Sequence, residues 1–260
     1  MRIHMAALAM VACAGSASAG VLYTGGLYSE NFDGLPSTSP SPSPFSSTIG
    51  QQFLLNAHGV AEWQVAKIAG TGTTAMPFIA TDGSSATGGI HSLGAVGTGE
   101  RALGMLASAA NIAAVGVEII NGLSFTVTDV SFTFNREVWR SSTSTQNIML
   151  FAWGVSGGSI TSSNFLSDAS MTPDPQGDLV GLAPVATNGP IPVNSLGVTV
   201  NLTGLSLAPG QSLFLRWSDF NDIGNDAAIG IDDFSFAMTP TPGSLALLGL
   251  GGLSLLRRRR

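Results

Sequence analysis

Apolar and polar residues alternate in short runs along most of this chain. Val130, Phe132 and Phe134 are separated by Ser131, Thr133 and Asn135, which puts the first set on one buried face of a strand. Runs of this kind are divided by Gly, Asn, Asp and Pro clusters, the punctuation of antiparallel strands. They predict strands at Gln51–Asn56, Ala61–Ala66, Arg101–Ser108, Ala113–Asn121, Ser124–Arg140, Asn147–Val155, Gly197–Thr203, Ser212–Phe220 and Ala228–Phe236. One stretch, ERALGMLASAANIAAV, fits a helix as well as it fits strands. From Pro36 to Thr48 proline recurs at alternate positions, so that segment is extended, as a solvated loop or an O-glycosylated tract. The expected fold is all-β: one jelly-roll-like antiparallel β-sandwich over residues 20–238.

The two ends read differently. Residues 1–19 have Arg2, then an apolar run from Met5 to Gly15, then Ala17-Ser18-Ala19 before Gly20. That is the layout of a secretory signal peptide, with Ala17 and Ala19 flanking the cleavage site. The only cysteine, Cys13, falls within it, so the mature chain is expected to have no disulfide, thiolate metal site or cysteine nucleophile. Residues 239–260 close with LALLGLGGLSLL and Arg257, Arg258, Arg259 and Arg260. Leu245 to Leu256 makes a helix of roughly 18 Å, short against a hydrocarbon core of about 30 Å. Its leucines cover every side, which suits a short transmembrane helix better than an amphipathic one. The arginines would hold the C-terminus in the cytoplasm and leave the body outside.

Charge strengthens this reading. Only 10% of the residues are charged, against roughly 25% in ordinary soluble proteins. Outside the two ends, Lys67, Arg101, Arg136, Arg140 and Arg216 face sixteen acids, so the body carries about −11. Such a body repels nucleic acid and attracts cations.

No catalytic constellation assembles from the sequence. Gly154–Gly158 (GVSGG) matches the nucleophile-elbow pattern, but no helix pattern follows Ser156, and His58 and His91 both precede it. Those histidines have no zinc-type spacing. Gly97-Thr98-Gly99 lacks the strand–helix–strand frame of a dinucleotide site. The acids are more informative. DFNDIGND gathers Asp219, Asp222 and Asp226 with two asparagines in one short loop, an oxygen-rich set suited to calcium or to Asx turns. Glu137 and Arg140 are expected to pair beside Trp139. The four tryptophans are read as core, with sugar stacking as the functional alternative.

Pro240-Thr241-Pro242-Gly243-Ser244, the Leu/Gly span and the arginine cluster together resemble the PEP-CTERM sorting signal of bacteria. Thr241 stands where that signal usually has Glu. The resemblance implies processing by an exosortase in the inner membrane, a transient stay there, and delivery to the cell envelope, surface or extracellular matrix. The segments YSENFDGL, ERALGMLAS, NREVWR and LFLRWSDFNDIGNDAAIGIDDFSF resemble an uncharacterised group of secreted PEP-CTERM proteins, and the last also resembles the closing strands of jelly-roll carbohydrate-binding modules. That second likeness implies a structural calcium near the first and last strands, here Glu30 or Asp33 with Asp232 or Asp233. Two expectations result. One is a non-enzymatic surface or matrix protein; the other is a calcium-stabilised carbohydrate-binding module for extracellular polysaccharide. Exposed tryptophans would favour the second, and buried ones the first.

Overall fold

The computed structural model describes residues 20–145, 148–155, 159–161, 166–167 and 179–240. The expected signal peptide with Ala17 and Ala19, the tail from Thr241 to Arg260, and Ser156 lie outside the described residues. Among the described residues no helix is long and apolar enough to cross a membrane.

Among the described residues fourteen strands form two sheets packed face to face. They are β1 (Val21–Tyr23), β2 (Tyr28–Glu30), β3 (Gln52–Leu54), β4 (Trp63–Ala69), β5 (Phe78–Thr81), β6 (Gly89–Leu93) and β7 (Ala102–Leu106), then β8 (Ile112–Asn121), β9 (Val127–Arg140), β10 (Met149–Val155), β11 (Leu166–Ser167), β12 (Ser195–Leu202), β13 (Ser212–Asp219) and β14 (Ala228–Pro240). The first sheet runs β11-β10-β13-β8-β4-β3 with β1 on β8; the second runs β12-β9-β14-β7-β6-β5 with β2 on β14. Pairing is antiparallel except for β1 with β8 and β5 with β6. The chain is therefore an all-β, mixed two-sheet sandwich.

The ambiguous stretch resolves into two strands, β7 and β8. Ser108 and Asn111 exchange backbone hydrogen bonds and turn the chain between them. The Pro/Ser-rich segment is not simply solvated. Phe45 is buried against Phe53 and Phe78, and the Ser43 hydroxyl donates to the Met76 carbonyl at 2.6 Å. Asn56–His58 makes a 3-10 turn in place of the expected strand end.

Period-2 alternation builds the core. Phe132 and Phe134 from β9 and Phe234 from β14 meet Trp217 from β13, with ring centroids 5.3 to 6.1 Å apart. Trp63 stacks on Trp217 from the same sheet at 5.8 Å. Arg136 continues the inward series of β9 and is fully buried. Its positive charge opposes the upward push on the Asp219 carboxyl of the other sheet, which burial otherwise drives well above the carboxylate range. Lys67, Arg101 and Arg140 are buried too. Four of the five cations of the body thus lie inside, and the exterior is left anionic.

At one point two backbones touch. Gly59 follows the 3-10 turn with φ +87°, and a Cβ there would be driven into the Gly34 carbonyl oxygen. Neither backbone can rotate away. Gly59→Ala is expected to destabilise the fold by about 2–4 kcal/mol, from left-handed strain plus overpacking. Urea denaturation of the two proteins would measure this.

Candidate metal centre

The second sheet has an outer face as well as a core face, and β9 and β14 carry acids on it. Asp232 pairs with Asn135, and Gly230 with Glu137, so Glu137 and Asp232 are diagonal neighbours on adjacent strands. A β-bulge follows at once. Between Asp232 and Ser235 the chain advances three residues while β9 advances two, from Asn135 to Thr133. Asp233 absorbs the extra residue at φ +46° and is exposed. Its backbone N–H donates to Asp232 Oδ1 at 2.7 Å, and its Oδ2 accepts from Asn135 Nδ2 at 2.9 Å.

Glu100 arrives from the connection between β6 and β7. Glu100, Glu137 and Asp232 thereby bring one carboxylate oxygen each to within 4.8 Å of one another. Calcium takes its oxygens at about 2.3–2.6 Å, so oxygens around one ion lie at most about 5 Å apart. The trio fits that limit. It lines a cavity of about 200 Å³ that also includes Asn31, Asp33 and Pro190.

The carboxylates resist ionisation together. Burial, followed by the charges of Glu137, Asp233 and Glu100, raises Asp232 to about 9, although the Asp233 N–H pulls it down. Burial and the charges of Glu100 and Asp233 raise Glu137 to about 7, against the indole N–H of Trp139, which donates to Glu137 Oε2 at 2.8 Å. Burial and the Asp33 charge raise Glu100, with Asp232 and the Arg101 charge pulling it down. Carboxylates gathered this closely repel one another, and a proton taken up by one of them relieves that repulsion. A divalent cation at the same point would replace that proton and neutralise the mutual repulsion.

The other acids singled out in the sequence lie elsewhere or are already engaged. Glu30, opposite Phe234 on β2, accepts the Phe32 N–H at 2.9 Å. Asp33 borders the trio, but its oxygens accept from the Arg101 N–H at 3.1 Å and Asn31 Nδ2 at 2.7 Å. Asp219, Asp222 and Asp226 sit apart from it. Asp219 accepts from the Ala107 N–H at 2.6 Å, Asp222 from Ile148 at 3.2 Å and Asp226 from Asp222 at 2.7 Å. Burial and the Asp222 charge raise Asp226 to about 6. Asp222 and Asp226 line a separate cavity of about 310 Å³. Those three acids act as backbone acceptors, Asp219 and Asp222 tying distant segments to the loop rather than closing the local Asx turns expected of it.

Glu137 was paired with Arg140 in the sequence reading, and the structure corrects this. Glu137 bonds Trp139, whereas Arg140 Nη1 donates to the Gly83 and Ser84 carbonyls at 3.1 and 3.2 Å. Residues three apart on a strand face opposite ways, and that rule alone separates the two. Sequence offered no route to Glu100. His91 is fully buried, with Nε2 2.9 Å from the Thr87 carbonyl, and burial lowers it to about 4. His58 packs edge-on to Phe45 and Phe78. Gly97–Gly99 belongs to the connection between antiparallel strands β6 and β7, not to a dinucleotide frame.

No family model and no curated protein matches the chain. Among solved structures it is similar to the CBM22-1 xylan-binding domain of Paenibacillus barcinonensis Xyn10C, at 11% identity and TM-score 0.33 over 86% of this chain and 99% of that one. It is similar also to the K1 cleaved adhesin domain of Lys-gingipain from Porphyromonas gingivalis W83, at 12% and 0.34 over 83% and 100%. A family 35 carbohydrate-binding module from Clostridium thermocellum matches at 12% and 0.24 over 51% and 86%. Likeness at this level carries no argument about function.

The raised carboxyls fix the sign of a pH effect. A group whose folded pKa exceeds its unfolded value contributes stability below about pH 4 that is lost as pH rises through the folded pKa. For Glu137 and Asp232 the loss runs on to about 7 and about 9. His91, lowered to about 4, acts in the opposite sense and is silent above pH 7. Metal-free protein is therefore expected to lose roughly 1–3 kcal/mol between pH 7 and 9.5, and Asp232→Asn to lose less over the same interval. Urea midpoints across that range would read both.

Proposed function

We propose that the chain is an exported, non-enzymatic protein of the cell surface or extracellular matrix, whose jelly-roll-like body is stabilised by calcium. The observation that carries this reading is the trio Glu100, Glu137 and Asp232, two of them almost fully buried and all with ionisation opposed. Buried like charges at that spacing need a proton or a cation, and the anionic exterior concentrates cations around the site. Glu100, Glu137 and Asp232 would supply the oxygens. Asn31 and Asp33 border the cavity where further ligands or water would complete a calcium shell. The tryptophans support a scaffold role. Trp63, Trp139 and Trp217 are buried and Trp153 is half-buried, so no pair of exposed indoles offers a sugar platform.

The address rests on the sequence of the two ends. In this reading the signal peptide directs export, and the Leu/Gly span pinned by Arg257–Arg260 holds the chain briefly in the inner membrane. An exosortase then acts near Pro240–Ser244. Two of the similar structures are carbohydrate-binding by name, which accompanies the second reading without deciding it. What favours that reading in this chain is the opening of the acidic trio into a cavity. Calcium held there would be reachable by the hydroxyls of an extracellular polysaccharide.

Calcium at a hundred times its dissociation constant is expected to stabilise the protein by about 2.7 kcal/mol, a rise of roughly 5–10 °C in melting temperature. A chelator should reverse it, and Glu137→Gln should abolish most of it. An unchanged midpoint removes the metal. Saturating oligosaccharide with and without calcium separates the two readings, since only the binding module gains stability from sugar.

Sorting is tested independently. The intact mass of the released native protein should lack the whole span from Leu245 to Arg260, and replacing the four arginines should leave it retained or uncut. A released form with the full tail contradicts the sorting reading.

A further inference from the structure

Sheet edges carry unpaired backbone donors and acceptors, and most edges here are blunted. β11 and β3 are two and three residues long. β5 has four residues, and its Ala80 N–H is taken by the Ser39 hydroxyl at 3.0 Å. β12 is different. It has eight residues, pairs with β9 from Ser195↔Glu137 to Leu202↔Val130 without a register break, and ends its sheet. Among the described residues nothing pairs with its outer edge. It also lacks the usual deterrents: its sequence, SLGVTVNL, contains no charge and no proline, and it has no bulge.

The surroundings of β12 are just as distinctive. From Leu179 to Leu215 the chain has no Asp, Glu, Lys, Arg or His. On the strand, Leu196 points to the core side yet is 37% exposed, and Val198 is only half-buried. Ile191 and Val193, just before it, are 39% and 53% exposed. The open edge of the sandwich is therefore an uncharged apolar strip on an otherwise anionic body.

We propose that β12 is a self-association edge, pairing antiparallel with β12 of a second copy to join two sheets into one. The occupant follows from charge and pattern. Two bodies of about −11 repel across most orientations, and the charge-free strip is where they can approach with least repulsion. Antiparallel pairing centred on Thr199, which then lies opposite its own copy, is its own symmetry mate, so one strand supplies both halves of the contact. The core-side residues Val198 and Leu196 then lie opposite Val200 and Leu202 of the second copy and lose their exposure. A strand of eight residues spans about 27 Å, enough for a continuous ladder.

The full-length protein, purified in detergent so that the tail is solvated, tests this by analytical ultracentrifugation at micromolar concentrations. The unmodified chain should sediment as a dimer. Gly197→Lys with Asn201→Lys should raise the dissociation constant at least about tenfold, with an unchanged melting midpoint. Both positions are exposed, and a Cβ on Gly197 would meet only Asn135 Oδ1 at 3.6 Å, so the monomer is not strained. A monomeric unmodified chain overturns the proposal. So does a dimer that survives the lysines, since it would belong to another surface. If the lysine variant fails to fold, a single cysteine decides. With Cys13→Ser in place, Thr199→Cys should form a disulfide-linked dimer on mild oxidation, while Thr98→Cys, on an exposed connection, should not. Equal cross-linking at the two positions, or none at Thr199, overturns the pairing.

Discussion

One extra residue in β14 governs both the core and the acidic site. Before the bulge the inward residues are Ile229 and Ile231; after it they are Phe234, Phe236 and Met238. Without the slip at Asp233, strict alternation would turn Asp233 and Ser235 inward and the phenylalanines out. The bulge restores Phe234 to the Trp217 cluster and sets Asp232 and Asp233 together on the outer face. A left-handed backbone at a non-glycine residue is unfavourable by itself. It persists because the aromatic packing behind it fixes the phase of the strand. The acids in front are then held close whatever their own repulsion.

The distribution of charge follows the same division between faces. β9 sends Arg136 inward, where it acts on Asp219 across the sandwich, and holds Glu137 outward against the Trp139 indole. Alternation on one strand therefore separates a buried cation from the acids behind it. The cation is not among the influences on Glu137 or Asp232, and what opposes their ionisation is burial and the neighbouring acids, Glu100 and Asp233 for both and Glu137 for Asp232. Because Lys67, Arg101 and Arg140 are also inside, few cations of the body are left to serve the surface acids.

Much of the architecture was legible because half-buried strands announce themselves by period. β9, β13 and the first part of β14 begin or end within a few residues of their expected limits. β5 and β6 were missed for a physical reason. Gly89–Leu93 is buried at every position, so GIHSL shows no alternation, and Phe78–Thr81 is too short to show one. The bulge was written in the sequence as a spacing: Ile229 and Ile231 are two apart, but Ile231 and Phe234 are three. The acidic site was legible only by halves. Asp232 and Asp33 were singled out, yet Glu100 comes from a connection whose approach depends on the β6–β7 pairing, and no local pattern encodes that. Asp219, Asp222 and Asp226 drew notice by their density in sequence. In the fold they are spent on backbone N–H groups.

Proximity along the chain and proximity of free oxygens are therefore different quantities, and only the second can gather a cation. The DFNDIGND loop has the higher density of acids, but among the described residues the carboxylate oxygens that converge within 4.8 Å are those of Glu100, Glu137 and Asp232. The Glu100–Glu137–Asp232 trio draws from three separate elements, and its members compete for a proton. Competition of that kind makes any cation affinity depend on pH, since a proton and an ion are alternatives at these carboxylates. A cation bound there would turn three acids within 4.8 Å of one another from a source of repulsion into a cross-link between β9, β14 and the β6–β7 connection.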